Sequence, residues 1–239
     1  MTAPLQAHGI VRSFGGLVAV DGVDLTVPAG QVTALIGPNG AGKSTLFACL
    51  AGQLRPDRGR VLLAGVDVTR RPPDARARLG LARTFQRLAV FGSLSVADNV
   101  RIGAENSARR GRVDEQVARM LELLGLIPVA DALAATLPTG TLRLVELARA
   151  LVGRPGVVLL DEPTSGLDDE QVARVPIAAR ALADDGRAVV LVEHDLPLVF
   201  ATADVVHVLA RGRIVASGPP DRVRDDPATA AAFAIGAGP

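Results

Sequence analysis

Residues Gln31 to Thr45 read QVTALIGPNGAGKST, and the rest of the chain is read outward from them. The run from Gln31 to Ile36 is apolar enough for a buried strand, and Leu46 to Leu54 has helical character until Pro56 should stop it. Between them Gly37, Pro38, Asn39, Gly40, Ala41, Gly42, Lys43 and Ser44 match a phosphate-binding loop. In such a loop backbone N–H groups and a helix N-terminus converge on phosphate oxygens, and glycines let the backbone come close. Lys43 would reach the β- and γ-phosphates of a nucleotide as a point charge. The Ser44 hydroxyl would complete a Mg²⁺ shell, and Thr45 belongs with the nucleotide-binding residues of the loop. A chance glycine turn would lack the strand before it and the helix after it.

Composition narrows the class. Of 239 residues, 49% are hydrophobic and 21% charged, an ordinary globular balance that excludes disordered and collagen-like chains. No apolar run approaches the roughly 18 to 20 residues of a membrane span, so any membrane role must come through a partner. Lys plus Arg is 26 against 25 for Asp plus Glu, and a net charge of +1 disfavours non-specific nucleic-acid binding. Cys49 is the only cysteine, which excludes an intrachain disulfide and a zinc site of paired thiolates, and the expected compartment is the cytoplasm. There is no Trp and no Tyr, so an aromatic platform for a flat ligand must come from Phe or His.

Along the chain, alternation in Gly22 to Val27 reads as a half-exposed strand after an earlier one near Leu5 to Ser13, giving an antiparallel N-terminal edge. Arg60 to Leu63 with Gly65 suggests a short strand pair, and Pro72-Pro73 a loop. From about Gln86 to Leu151 strand signals fade, and Val113, Val117, Met120, Leu121 and Leu124 fall at helical spacing. Strand patterns resume at Val157 to Leu160, Ala188 to Val192 and Val205 to Leu209, the last turning through Arg211-Gly212 into Ile214 to Ala216. Asp169 to Ala183 is a helix that Pro176 should kink or split. The alanine-rich tail after Ala228 is a short helix or a frayed end.

Two of those strands end in ionisable residues. Val157 to Leu160 runs into Asp161-Glu162-Pro163, where a buried strand would set both carboxylates at the sheet's carboxyl edge beside the phosphate loop. Asp161 suits the Mg²⁺ shell, and Glu162 suits the role of base for an attacking water. Val189 to Val192 runs into Glu193-His194-Asp195, and the same geometry puts His194 near the γ-phosphate. Without the upstream loop, an Asp-Glu pair or a lone His at a strand end would read as a cap or a surface polar group.

The ordered set, Gly37 to Ser44, Gln86, Leu137-Pro138-Thr139-Gly140-Thr141, Leu160 to Pro163, Ser165-Gly166-Leu167-Asp168 and His194, resembles the ATP-binding subunits of ABC transporters over nearly the whole chain. The resemblance implies an α/β P-loop NTPase with a mostly parallel sheet core, an N-terminal antiparallel β subdomain and a helical insertion. The expected division is 1–85 and 152–218 as ATPase core, 86–151 as helical subdomain and 219–239 as C-terminal tail. It also implies that Gln86 links Mg²⁺ and water to a membrane partner, that Asp168 couples two sites across a dimer, and that His194 holds the γ-phosphate. Phe14 matches the family's adenine-stacking aromatic, although by composition alone the ring could equally be core. Thr139 and Gly140 fall in the signature that faces the partner's nucleotide.

Phe14-Gly15-Gly16-Leu17, Leu81 to Gln86 and the ending Pro219 to Gly236 look more specifically like the ATPases of branched-chain amino-acid importers. The implied function is ATP hydrolysis coupled to solute uptake, with ATP and Mg²⁺ as cofactors. The implied partners are a second ATP-binding subunit arranged head to tail and integral membrane permease subunits. The chain would sit at the inner face of the membrane. One departure stands out: where the family reads Leu-Ser-Gly-Gly-Gln, Pro138 has neither hydroxyl nor N–H to offer a phosphate, leaving the Thr139 hydroxyl and the Gly140 N–H. That departure keeps open a nucleotide-gated switch of low turnover. An ABC-type ATPase of nucleic-acid processing is the other alternative, disfavoured by the short insertion and single phosphate loop.

Overall fold

The computed structural model describes residues 3–84, 90–105, 112–153 and 155–235. In chain order the elements are β1 (Leu5–Phe14), β2 (Leu17–Val27), β3 (Val32–Ile36), α1 (Lys43–Ala51), β4 (Arg58–Leu63), β5 (Val66–Asp67), α2 (Pro73–Arg78), β6 (Leu81–Arg83), α3 (Val96–Glu105), α4 (Val113–Leu123) and α5 (Thr139–Leu151). They continue as β7 (Val157–Asp161), α6 (Asp169–Val172), α7 (Arg174–Asp184), β8 (Ala188–Val192), α8 (Leu196–Thr202), β9 (Val205–Ala210), β10 (Arg213–Gly218), α9 (Pro220–Arg224) and α10 (Pro227–Ile235).

Two sheets result. One is antiparallel in the order β2-β1-β4-β5; the other runs β10-β9-β3-β8-β7-β6, parallel except for the β9–β10 hairpin. Every residue of β3, β7 and β8 is buried, which is why those strands read as unbroken apolar runs rather than as alternation. The two-residue period then sends neighbouring side chains to different cores. Ala34, Ile36, Val158 and Leu160 join α3, α4, α5 and α7 on one face. Leu35, Leu159 and Val190 face α1 and the antiparallel sheet on the other.

Several boundaries differ from expectation for local reasons. β2 starts at Leu17 rather than Gly22, because Leu17 and Val18, though exposed, pair with Phe14 and Ser13 of β1 across a tight turn. Helix α1 begins at Lys43, inside the glycine loop, and is ended by Gly52 rather than Pro56: Gly52 lies at φ 83, and a Cβ there would meet Arg76 Nε at 2.6 Å. The Pro72-Pro73 loop becomes α2, with Pro73 at the first turn, where a missing N–H costs nothing. Helix α5 begins at Thr139, so the stretch Thr139-Gly140-Thr141 forms its first turn. Strand β6, three residues at the sheet edge, leaves no periodic signal. Pro176 does divide its helix: α6 and α7 break at Ala173, within the turn whose hydrogen bond Pro176 cannot donate.

Arg76 is fully buried and has no carboxylate partner among the described residues. Its guanidinium instead donates to Cys49 O at 2.7 Å and Leu50 O at 2.6 Å, satisfying carbonyls at the C-terminus of α1 where the helix dipole favours a cation. Burial still pulls its pKa down to about 10. Cys49, on the same turn, is fully buried, and burial pushes its thiol up to about 11.

His207 in β9 is 9% exposed, and neither ring nitrogen has a hydrogen-bond partner among the described residues. Asp21, Asp24, Arg213 and Ser217 line the same recess. Burial holds its pKa below the ordinary 6.5, so the folded chain keeps the ring neutral while the unfolded chain protonates it near that value. The stability it allows is complete above that pH and declines as pH falls below it. We predict a melting temperature that drops between about pH 7.5 and about pH 5.5, with a smaller drop in His207→Phe. Parallel profiles for the two proteins would assign the acid loss to other groups.

Candidate functional site

The loop after β3 lies at the carboxyl edge of the parallel sheet, where Leu35, Val192 and Asp161 stand in register across β3, β8 and β7. Its shape depends on two glycines. A Cβ at Gly37 (φ 148) would fall 2.0 Å from Leu209 O, and one at Gly42 (φ 104) would fall 2.2 Å from Ala19 O. Gly40 has open space around it but lies at φ 77, which other residues rarely adopt. Gly212 N donates to Ala41 O at 2.9 Å, so the β9–β10 turn also holds the loop.

A cavity of about 500 Å³ opens over this loop, bounded by Asn39 to Thr45, Glu162, His194 and Phe14. Lys43 Nζ donates to Gly37 O at 2.6 Å and Pro38 O at 3.0 Å and is nearly buried. Burial lowers its pKa, while Glu162 and Asp161 pull it back up. The Ser44 side chain is exposed to the cavity.

Asp161, the last residue of β7, is 5% exposed. Its N–H donates to Thr84 Oγ1 at 3.1 Å and its Oδ2 accepts from Arg83 Nη2 at 3.1 Å, while Oδ1 is buried with no partner among the described residues. Burial raises its pKa, and Arg83 opposes that rise. A buried carboxylate oxygen with no donor is the kind of group a cation satisfies. Among the described residues no cluster of three or more His, Cys, Asp or Glu could hold a metal unaided. The donor set therefore fits an oxygen-loving ion such as Mg²⁺ that takes its other ligands from phosphates and water.

Glu162 takes φ 47, a left-handed backbone that costs energy in a non-glycine residue, and its N–H donates to Val192 O at 2.9 Å. This turn carries the side chain to the cavity, where Oε1 lies 2.6 Å from His194 Nε2. Glu193, 4% exposed, ties the turn after Glu162 to His194. Its Oε1 accepts from Thr164 N at 2.9 Å and Thr164 Oγ1 at 2.6 Å, and its Oε2 accepts from His194 N at 3.1 Å. Sequence reasoning gave Glu193 no role; its only signal was a charged residue directly after a fully apolar strand.

Phe14 is not a core residue. Its ring is 45% exposed at the rim of the cavity, with the Arg12 guanidinium 4.9 Å from its centroid and Arg12 itself held by Asp57 at 2.8 Å. Gln86 lies outside the described residues. Thr139 and Gly140 form the first turn of α5 and do not line this cavity. Pro138 precedes that turn at φ −59, ψ 152, an extended conformation compatible with its ring. Asp168 caps α6 through Gln171 N at 2.9 Å, and Gln171 Nε2 reaches Thr141 Oγ1 at 3.4 Å, joining the two helix starts. A Cβ on Gly140 would meet Gln171 Oε1 at 2.3 Å.

A glycine loop at the carboxyl edge of a parallel sheet, with a lysine inside it and carboxylates at the end of β7 two strands away, defines a P-loop nucleotide-binding protein. The family profile of ABC transporters matches residues 20–165, and the chain belongs to that family. It is 34% identical over 240 residues to the high-affinity branched-chain amino acid transport ATP-binding protein BraF of Pseudomonas aeruginosa, covering 93% of this chain and 94% of that one. The corresponding protein LivG of Escherichia coli is 32% identical over 245 residues, covering 95% and 96%. Among solved structures, the ADP conformation of an ATP-binding cassette of an ABC transporter superposes with a TM-score of 0.84 at 30% identity, covering 98% of this chain and 99% of that one. The family's ATP-binding subunits hydrolyse ATP to ADP, and this chain is one of them.

Phe14→Ala is expected to weaken ATP binding by about 1 to 3 kcal/mol, the scale of one base stacked on an aromatic. Thermal stability should hardly change, because the ring is already half in solvent. Calorimetric titration with ATP and a thermal melt together decide the point. Unchanged affinity with collapsed stability would make the ring structural.

Proposed function

We propose that this chain drives an importer of branched-chain amino acids or related small amides, binding MgATP, pairing head to tail with a second ATP-binding subunit, and passing closure and hydrolysis to membrane permease subunits. No helix among the described residues is long and apolar enough to cross a membrane, which fits attachment through such partners at its inner face. In this reading 1–85 and 152–218 form the ATPase core, 86–151 the helical subdomain that meets the permease through Gln86, and 219–239 the tail.

The observation that carries the reading is Glu162 at the edge of the loop cavity, with its carboxylate against His194. Lys43 exchanges the Gly37 and Pro38 carbonyls for phosphate oxygens, Phe14 stacks the base, and the loop amides orient the triphosphate. Ser44, Asp161 and Gln86 would hold Mg²⁺, which when bound offsets charge on the transferred phosphoryl group. Glu162 accepts the proton of a water whose oxygen bonds to the γ-phosphorus, while the bond to the β–γ bridging oxygen breaks and ADP leaves with that electron pair. His194, released from Glu162, donates to a γ-phosphate oxygen.

Glu162→Gln should keep ATP affinity and lower turnover by at least about 10²-fold, because the amide can hold water but cannot take its proton. It should also lengthen the life of an ATP-bound dimer on size exclusion. Turnover near wild type would remove Glu162 from the chemistry.

Exposed Thr139 at the start of α5 supports a half-site facing a partner's γ-phosphate that is slower unless a partner ATPase with an intact signature completes the other site. Pro138 has no hydroxyl or N–H to contribute there, and Thr139, exposed at the first position of the helix, supplies a hydroxyl one position later. Pro138→Ser should therefore raise the ATPase rate of the isolated chain. Thr139→Ala should lower it, by about 1 kcal/mol of transition-state stabilisation. If neither changes the rate while an ATP-bound dimer still forms, the hydroxyl plays no part.

A further inference from the structure

Arg83 ends β6 with its side chain only 12% exposed. It is held on three sides: Nη2 donates to Asp161 Oδ2 at 3.1 Å, Nη1 contacts Gln53 Oε1 just beyond the end of α1, and the guanidinium carbon lies 4.9 Å from the centroid of the buried Phe47 ring. Thr84, the next residue, accepts the backbone N–H of Asp161 at 3.1 Å and donates its own to Leu159 O at 3.0 Å. Two consecutive residues thus fix Asp161 by its side chain and by its main chain. The arginine also divides the carboxylate. Oδ2 is engaged by a locked guanidinium, while Oδ1 is buried and has no donor among the described residues.

We propose that Arg83 is a positioning residue for the metal site, gripping Asp161 by Oδ2 so that Oδ1 is the oxygen presented to the cation. The inference rests on the reading of Asp161 as a Mg²⁺ ligand. A single donor on one oxygen fixes the rotation of a carboxylate about its last bond, and a rigid planar fork does so better than a flexible ammonium. Charge alone makes the opposite forecast. A guanidinium beside a divalent ion repels it, so a purely electrostatic role predicts tighter metal binding once Arg83 is removed. The sign of the change therefore separates orientation from charge.

The test uses the whole chain with ADP and Mn²⁺ as the paramagnetic stand-in for Mg²⁺, following free Mn²⁺ by electron paramagnetic resonance, and measures ADP affinity in EDTA alongside. Arg83→Met is expected to weaken Mn²⁺ binding by about tenfold or more, the usual scale for losing a group that orients a metal ligand. ADP affinity in EDTA should stay within about twofold, because Arg83 touches neither the loop nor the base platform. Arg83→Lys should fall between Arg83→Met and wild type. In an Asp161→Asn background the Arg83→Met change should have no further effect on Mn²⁺. Unchanged or tighter Mn²⁺ binding in Arg83→Met overturns the proposal, as does an undiminished effect in the Asp161→Asn background. Should Arg83→Met fail to fold, Arg83→Lys decides: weaker Mn²⁺ binding supports the assignment and unchanged binding overturns it. If Asp161→Asn alone leaves Mn²⁺ binding intact, it is the reading of Asp161 that has failed.

Discussion

Everything at this site depends on two places where there is no room for a side chain. Leu209 of β9 and Ala19 of β2 each push a carbonyl oxygen to within about 2 Å of where a Cβ on Gly37 and on Gly42 would stand. Those carbonyls come from different sheets, so the loop is clasped by backbone from both. A loop gripped in this way keeps its amides pointing outward without needing side chains to pack it, which is what an anion site requires. The far end of α1 is fixed by other means, through the Arg76 guanidinium on the last carbonyls. The helix that begins in the loop is thereby anchored at both ends before any ligand arrives.

The charged groups around the cavity already have partners within the protein. Lys43 is held by loop carbonyls, Glu162 by His194, and one oxygen of Asp161 by Arg83. Buried or half-buried charge left unpaired would be expensive, and these pairings keep the carboxyl edge of the sheet stable in the absence of a ligand. Those of Lys43 and Glu162 are exchangeable, since phosphate oxygens or a water can replace the loop carbonyls and His194, whereas Arg83 keeps its hold on Asp161. Glu193 is of another kind: its carboxylate is fully engaged with Thr164 and the His194 backbone, and it fixes the spacing between the turn after β7 and the turn after β8.

Much of this was legible in the sequence, and the physical reason is the same throughout. The strand, glycine loop and helix, the Asp161-Glu162 pair and His194 are each local patterns, in which a buried parallel strand ends in polar residues at one edge. The break between α6 and α7 was legible from Pro176 for the same reason. What escaped notice depends on contacts distant in sequence. Strand β6 is too short to carry a period, and it is a strand because β7 lies beside it. The Pro72-Pro73 region looked like a loop because a proline at the first turn of a helix and a proline in a turn are the same letter. Arg76, Arg83 and Glu193 are ordinary charged residues until the fold buries them against α1, Asp161 and Thr164. The exposure of Phe14 could not be chosen over burial from composition, since both placements suit a phenylalanine.

The sole thiol of the chain lies inside α1 packing, fully buried and with its ionisation suppressed. Alkylating dyes and crosslinkers act on exposed thiolates, so the unaltered chain offers them no reactive point. A cysteine introduced at an exposed position in the first turn of α5 would therefore be the single labelled site on each copy. The approach of two copies could then be followed by fluorescence or crosslinking without first stripping the protein of its own cysteine.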